Sequence, residues 1–327
     1  SRFNQTRRRS VLMRHHETVL QQEAVSALNV RPDGRYVDAT FGRGGHARAI
    51  LDTLGAEGSL LALDRDPEAI AAAQELMAQD PRVHAMKTPF GTLGSALSKM
   101  RLLGKVDGIL FDLGVSSPQL DNPERGFSFM RDGPLDMRMD SEAKLSAAEW
   151  LADAPEKKIA DVIYQLGEER YSRRIARAIV KVRTDMAITR TSQLADIVKQ
   201  AHPAWEKHKH PATRTFQAIR MHINNELSEL ESALEVVLSS LATGGRLVVI
   251  SFHSLEDRMV KKFMARCAKG DAFPRGVPVT AEQLKPALKL IGRPMRPTAD
   301  EVQVNSRARS AVMRTAEKLE IEPPVAL

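Results

Sequence analysis

Short apolar runs alternate with segments of helical periodicity in the first third of the chain. The runs at 36–40, 59–63 and 108–111 predict strands. The segments at 17–28 and 46–54, and one beginning at Pro67, predict helices, and proline is favoured in the first helical turn. This alternation predicts a mostly parallel, doubly wound α/β sheet covered by helices on both faces. Such a sheet binds ligands outside the carboxyl ends of its strands.

The alternation stops near residue 119 and gives way to helical patterns at 146–152, 156–166, 169–182 and 192–201. A helix at 225–241 and an apolar strand at 246–252 then restore it. We therefore expect a helical insertion at 120–214 within a sheet domain formed by 16–119 and 215–327. Residues 1–15 are rich in arginine and lack periodicity, so they predict a basic N-terminal arm. The tail and 294–297 are expected to be loosely ordered.

The amino-acid composition narrows the classes of protein to which the chain can belong. With 43% hydrophobic and 27% charged residues the chain is typical of a globular protein. No apolar run approaches the roughly 20 residues needed to span a bilayer. Cys267 is the only cysteine, which excludes an internal disulfide framework and fits a reducing cytoplasm. The net charge of +7 favours a polyanionic partner, although many cytoplasmic proteins are mildly basic.

A glycine-rich loop follows the first predicted strand, with the order Gly42-Arg43-Gly44-Gly45-His46. Glycines let backbone amides approach a ligand closely, and Asp64 ends the next strand where it can accept hydrogen bonds from ribose hydroxyls. Two cofactors fit this pattern. The loop satisfies the dinucleotide fingerprint of NAD-binding proteins, whereas Asp38, four residues before Gly42, favours a ligand with an amino group such as S-adenosylmethionine.

Longer motifs carry a family resemblance. The segments 110–120, 125–129 and 132–139 read LFDLGVSSPQL, RGFSF and DGPLDMRM, and they resemble the ribosomal RNA small subunit methyltransferase H family, also called RsmH or MraW. The segments 16–20, 210–218, 251–258 and 305–310 resemble further signatures of this family in the same order. The resemblance runs from about His16 to Glu317. The arginine-rich arm before His15 departs from the family pattern.

The resemblance implies a Rossmann-like class I methyltransferase that uses S-adenosylmethionine to methylate N4 of a cytidine in the decoding region of 16S ribosomal RNA, with the 30S subunit as partner. A protein that binds cofactor and RNA mainly as a ribosome-assembly factor is the alternative. By motif, the implied cofactor contacts are Gly44, Gly45, His46, Asp64, Phe90, Asp112 and Gln119.

The candidate catalytic residues lie at the ends of two predicted strands. Many amino-methyltransferases carry an Asp/Asn-Pro-Pro-aromatic loop, but here Asp112 is followed by Leu-Gly-Val-Ser-Ser-Pro. We hypothesise that Asp112 accepts a proton or hydrogen bond from the target amine, assisted by Ser116 or Ser117; alternatively, Asp112 only orients the cofactor. His253 is a further candidate, or it supports a helix cap formed by Ser254 and Asp257.

Candidate RNA contacts lie in the predicted insertion. A basic stripe at three- and four-residue spacing is formed by Arg170, Arg173, Arg174, Arg177 and Lys181, and it is either a phosphate-binding face or a solvated one. Phe127 and Phe129 are candidate base-stacking partners or buried aromatic residues. The histidines at 202, 208, 210 and 222 lack the spacing of a zinc site, so no metal is expected.

Overall fold

The computed structural model describes residues 18–204, 210–270 and 285–320. Seven strands of these residues form one sheet in the order β3-β2-β1-β4-β5-β7-β6. The strands are β1 (Arg35–Asp38), β2 (Ser59–Asp64), β3 (Val83–Lys87), β4 (Val106–Asp112), β5 (Leu241–Ser251), β6 (Leu288–Leu290) and β7 (Val312–Lys318). Strands β1 to β5 pair in parallel, and β7 runs antiparallel to both β5 and β6. The predicted Rossmann-like, doubly wound sheet is confirmed.

Helices cover both faces of this sheet. One face packs against α1 (Gln21–Leu28), α2 (Gly45–Leu51) and α3 (Pro67–Gln79), and the other against α4 (Leu93–Lys99), α11 (Glu226–Ser240) and α12 (Ser254–Lys269). Successive residues of β4 point to opposite faces of the sheet. Leu110 packs on the face covered by α1, α2 and α3, whereas Ile109 and Phe111 pack on the face covered by α4, α11 and α12. All three are fully buried. This explains why the strand is a continuous apolar run rather than an alternating one.

A second hydrophobic core lies in the helical part. It is built from α6 (Ala147–Asp153), α7 (Glu156–Gly167), α8 (Ser172–Asp185), α9 (Thr191–Ala201) and α10 (Ala212–Ile223). The boundary predicted at 214/215 falls inside α10. Phe216 and Ile219 of this helix are buried in the helical core, so we place the end of the inserted unit at Asn224.

Ion pairs tie the helical unit to the carboxyl edge of the sheet. Arg125, at the end of a 3₁₀ turn, lies 2.9 Å from Asp66 before α3. Lys87, at the end of β3, lies 3.4 Å from Asp140, and Glu168 lies 3.0 Å from Arg258 of α12. These contacts place the insertion above the strand ends, where ligands are expected.

Several elements differ from the sequence prediction. Helix α8 begins at Ser172 rather than at 169, because Glu168 has a left-handed backbone (φ 50°) and Glu169 accepts the Tyr171 amide in a turn. The sequence patterns did not predict β3, α4, α10 or β6. They also did not predict how far α12 extends. The segment 294–297 is not loose, since Met295 forms an antiparallel bridge with Met313. Short helices complete the fold at α5 (Ser117–Asp121) and α13 (Ala299–Val304).

The predicted arm at 1–15 lies outside the described residues. Within the described ranges, no helix combines the length and apolar character that crossing a membrane requires.

Candidate functional site

A cleft opens at the carboxyl ends of β1, β2, β4 and β5. It contains about 1300 Å³ of unfilled space, counting the part open to solvent. Eight of the ten predicted cofactor and catalytic positions contribute to its lining: Gly45, His46, Asp64, Phe90, Asp112, Ser116, Ser117 and Gln119. Gly44 and His253 lie outside the lining. The fold therefore brings together most of the side chains that the motifs nominated.

The glycine loop is shaped by its backbone. Gly42 and Gly44 have left-handed φ values of 55° and 73°, which cost little only for glycine. The Gly42 amide donates to Asp64 Oδ2 at 2.9 Å, and the Gly44 amide donates to the Phe41 carbonyl at 2.7 Å. A Cβ on Gly45 would overlap the Thr18 hydroxyl. Gly44 thus shapes the loop, while Gly45 lies at the cleft wall.

Asp64 and Phe90 both contribute to the wall of the cleft. Asp64 also accepts the Asp66 amide at 2.9 Å through Oδ1, so its carboxylate is fixed in position and retains further acceptor capacity. Burial raises its pKa. The Phe90 ring packs edge-to-face on Phe111 with centroids 5.7 Å apart, and it lines the cleft. This arrangement suits a ribose hydroxyl pair beside an aromatic adenine face.

Gln119 is already engaged by the protein at both ends of its amide. Its Oε1 accepts the Ser116 amide at 2.9 Å, and its Nε2 donates to Asp66 Oδ2 at 2.7 Å. The side chain is only 5% exposed. We interpret Gln119 as a support for the loop that carries Ser116, and a cofactor contact would require one of these bonds to open.

Two carboxyl groups at the cleft, those of the buried Asp38 and the partly exposed Asp112, each have one oxygen with no partner among the described residues. Asp38 accepts the Thr40 amide through Oδ1 at 3.2 Å, but its Oδ2 lacks a hydrogen-bond partner among the described residues, as does Asp112 Oδ1. Burial, with the nearby Asp64 charge, raises the pKa of Asp38 to about 7. Burial and the charges of Asp38 and Glu256 raise the pKa of Asp112 well above its usual range. Raised pKa values mean that the charged forms of both carboxyls are disfavoured in the protein alone, and a cationic ligand beside them would favour those charged forms.

His46 contributes no compensating positive charge. Its Nδ1 lies 3.6 Å from Asp112 Oδ2, but burial lowers the pKa of the imidazole to about 4. Its Nε2 is buried and lacks a partner within the described residues. Near neutral pH this ring is uncharged, and it offers a polar atom rather than a counter-ion.

Sequence reasoning missed an acidic pair on the other side of the cleft. Glu226 and Glu256 both line it and are 7% and 3% exposed. Arg220 donates to both oxygens of Glu226, at 2.8 and 2.7 Å. Glu256 accepts the Phe252 amide at 3.0 Å, and the charge of His253 and Arg220 helps to lower its pKa. The available signal was the acid-rich start of the helix after Asn225, since such residues favour helix N-termini.

His253 contacts Glu256 of this acidic pair and does not line the cleft. Its Nδ1 caps α12 by accepting the Glu256 amide at 3.4 Å, and its Nε2 lies 3.0 Å from Glu256 Oε1. The predicted cap by Ser254 and Asp257 is wrong. Ser254 instead donates to Glu168, and Asp257 pairs with Arg314 at 2.7 Å.

The donor atoms of Glu226, His253 and Glu256 all lie within 4.8 Å of one another, a spacing that could hold a cation. Arg220 already occupies the Glu226 carboxylate, so the described contacts balance the acidic charge without an ion. The histidine group considered in the sequence is dispersed over separate aromatic contacts. His202 packs on Tyr171 and His222 on Trp150, and His208 lies outside the described residues.

The predicted RNA contacts divide between surface and core. Arg173, Arg174, Arg177 and Lys181 are exposed on α8, opposite the fully buried Ile175 and Ile179. Arg170 precedes the helix and lies 4.6 Å above the Tyr171 ring. Arg177 lies 3.8 Å from Glu156 of α7, so the stripe is not wholly free of acids.

The two candidate stacking rings differ in access. Phe127 is 5% exposed, so its ring has no face for a base, and the stacking prediction for this residue is wrong. Phe129 is half-buried against Phe216 and His210, with centroids 4.8 and 4.6 Å away. Phe129 therefore remains only partly exposed to solvent.

Comparison with known proteins places this site in a family. An rRNA methylase structure from Streptococcus thermophilus aligns over 92% of this chain and 95% of its own, with 12% identity and a TM-score of 0.39. An S-adenosylmethionine-dependent O-methyltransferase from Thermotoga maritima aligns over 95% of this chain and 70% of its own, with 11% identity and a TM-score of 0.40. These superpositions are loose, and the assignment rests on sequence. The profile of the MraW methylase family matches residues 13–319. Because the match spans almost the whole chain, the protein belongs to the MraW methylase family of Rossmann-like, S-adenosylmethionine-dependent RNA methylases.

Proposed function

We propose that the protein methylates N4 of a cytidine in the decoding region of 16S ribosomal RNA, with the small ribosomal subunit as substrate. The observation that carries this proposal is the position of Asp112. Its carboxylate ends β4 in the cleft, with Oδ1 unpaired among the described residues. An acceptor at this place suits a target that must lose a proton from an amino group.

The cleft fits S-adenosylmethionine on chemical grounds. The unpaired Asp38 oxygen and the excess of carboxylates suit its ammonium and sulfonium charges, while Asp64 and Phe90 suit its ribose and adenine. When bound, the cofactor supplies an electrophilic methyl group on a positively charged sulfur. The glycine loop by itself fits either NAD or S-adenosylmethionine, and membership of the MraW methylase family selects S-adenosylmethionine.

Asp112 provides the acid–base chemistry. The lone pair of cytosine N4 is delocalised into the ring, so an acceptor on an N4 hydrogen increases nucleophilicity and can take the departing proton. The raised pKa of Asp112 makes its ionised form a stronger base than an ordinary aspartate. Its position is fixed because its own amide donates to Thr40 Oγ1 at 2.7 Å. Ser116 and Ser117 line the same wall and are candidate hydrogen-bond partners for the base.

The helical unit is proposed as the RNA-recognition domain. Glu168, just before the basic stripe, pairs with Arg258 of α12, and the first turn of α12 carries the cleft-lining Glu256. The start of the stripe therefore lies near the first turns of α12. Phosphates of RNA whose target base occupies the cleft would meet exposed guanidinium groups there.

The direct test is transfer of labelled methyl from S-adenosylmethionine to 30S subunits that lack the modification, followed by nucleoside analysis. Label in N4-methylcytidine at one decoding-region position supports the proposal. Label in another nucleoside or another region refutes the assigned target. Cofactor binding without any incorporation favours the assembly-factor alternative.

Asp112→Asn tests the acceptor role. It should lower kcat by about 10²–10⁴-fold, the range of general acid–base contributions, and leave the Kd of the cofactor nearly unchanged. Asp33→Asn, in an exposed turn, is the matched control. In the wild type, kcat should fall on acidification through the raised pKa of Asp112, because only the carboxylate accepts a proton. Equal losses in kcat and cofactor affinity would show that Asp112 orients the cofactor instead.

A further inference from the structure

Met130 is the most exposed large hydrophobic side chain in the described part of the protein, at 82%. Burial of such a side chain would stabilise the fold, and the fold forgoes that contribution here. Single exposed apolar residues are common on protein surfaces. Its significance therefore depends on how firmly the segment is held and on what lies beside it.

The segment that carries Met130 is anchored on both sides. Phe127 is buried, and the Phe129 ring packs on Phe216. The Met130 amide donates to Ser128 Oγ at 3.2 Å. After it, Arg190 pairs with Asp132 at 2.5 Å. The exposed thioether is thus presented by a fixed loop and not by a loose one.

This loop adjoins the mouth of the cleft. Arg131, next to Met130, donates to the Asp121 carbonyl at 3.4 Å. Asp121 ends α5 and pairs with Arg307 at 2.5 Å, and Arg307 lines the cleft. At 1.5 Å per residue, roughly 6 Å of helix separates Asp121 from the cleft-lining Ser117. Met130 is therefore the neighbour of a residue that contacts α5, the helix whose first residue lines the cleft.

We propose that Met130 is a wedge that fills the space left in the RNA stack when the target cytidine is extruded into the cleft. The proposal rests on the proposed function and adds a residue for target extrusion. Asp112 lines the cleft at the carboxyl end of β4, and enzymes that act on a base in folded RNA usually extrude that base from the stack. Methionine is one of the apolar side chains that proteins insert between bases, and the adjacent Arg131 supplies a positive charge for a flanking phosphate.

Photocrosslinking tests the location. A benzophenone side chain is installed at position 130 or, as the control, at position 77, and each protein is irradiated with 30S subunits lacking the modification. Met77 is 40% exposed near the carboxyl end of α3, and thus at the opposite edge of the sheet. Crosslinks from position 130 should fall on nucleotides flanking the methylated one, and position 77 should give none there. Absence of such crosslinks from position 130 overturns the wedge.

Kinetics test the role. Met130→Ser should lower kcat on 30S subunits by about tenfold or more, because unstacking a base costs a few kcal/mol. The Kd of the cofactor and the thermal stability should not change. Met130→Leu should restore the rate to within about twofold, since the leucine side chain is also apolar, and Met77→Ser should match the wild type. Equal rates for Met130→Ser and the wild type refute the proposal. If the methyl group is found on a different nucleotide, the proposed function is wrong. The wedge proposal is then tested separately, by whether position 130 crosslinks to the nucleotides that flank the one actually methylated.

Discussion

The buried carboxyl of Asp38 allows a quantitative prediction about stability. Its side chain is 1% exposed, and burial raises its pKa from 3.8 to about 7. A carboxyl whose pKa is higher in the folded protein than in the unfolded chain destabilises the fold as the pH rises. The penalty begins near pH 4, grows to about pH 7 and is constant above it. At 1.36 kcal/mol per pKa unit, it amounts to roughly 4 kcal/mol at pH 8 and to under 2 kcal/mol at pH 5.

Asp38→Asn removes this titration and keeps an acceptor for the Thr40 amide. Its new amide hydrogens replace an oxygen that has no partner in the described structure, at a cost of about 1–3 kcal/mol that does not depend on pH. The free energy of unfolding of the variant relative to the wild type should therefore rise by roughly 2.5 kcal/mol between pH 5 and pH 8. His46, whose pKa is lowered to about 4, destabilises the fold as the pH falls below 6.5, but it does so in both proteins.

Urea unfolding followed by circular dichroism at pH 5, 6, 7 and 8 measures this difference. Asp33→Asn, at an exposed position, is the control and should track the wild type. Parallel stability curves for Asp38→Asn and the wild type would refute the argument, because they would show that Asp38 titrates alike in the folded and unfolded chains. The variant should also bind S-adenosylmethionine more weakly, since it removes buried negative charge next to the cofactor loop.

Three further perturbations probe other parts of the molecule. Gly45→Ala places a methyl group on the Thr18 hydroxyl and should weaken cofactor binding at least tenfold by calorimetry (about 1.4 kcal/mol); unchanged affinity would show that the loop adapts. Arg220→Met leaves the buried Glu226 carboxylate without its bidentate partner and should lower the unfolding free energy by about 3–5 kcal/mol in urea unfolding; an unchanged unfolding free energy would contradict this. Arg173→Glu with Arg174→Glu should weaken RNA binding and flatten its salt dependence; an unchanged salt slope excludes the stripe from the interface.

Local sequence patterns predicted the elements that build the cleft. Strands β2 and β4 are apolar runs that each end in an aspartate, because both strands are buried on two faces and stop where the ligand edge begins. Strand β3 escaped prediction because of its position near the sheet edge. Only Val83 of its five residues is buried, so it lacks a strong apolar signal. Helix α10 was also missed, although its apolar positions are buried against α7 and α9.

The motifs also located most of the candidate site. Parallel strands bring their carboxyl ends to one edge, so Asp64 and Asp112 were expected to share a cleft although 47 residues lie between them in the sequence. The family resemblance supplied the cofactor and the reaction. The motifs did not determine whether each side chain is available to a ligand or is already hydrogen-bonded within the protein. Gln119 and His253 looked like functional residues, and both are engaged in hydrogen bonds within the protein.

Two kinds of information came only from the tertiary structure. Burial is one, because it depends on packing between distant segments: it hides Phe127, leaves Met130 exposed and raises the pKa of Asp112. Long-range charge pairing is the other. Arg220 and Glu226 flank a helix break, and the chain returns to Glu256 only after a complete helix and strand. The sequence by itself determined the fold class, the family and the strand-end acids through local and periodic signals. The charge balance of the cleft was decided by the tertiary structure, since the electrostatic energy depends on distances and desolvation that local patterns do not encode.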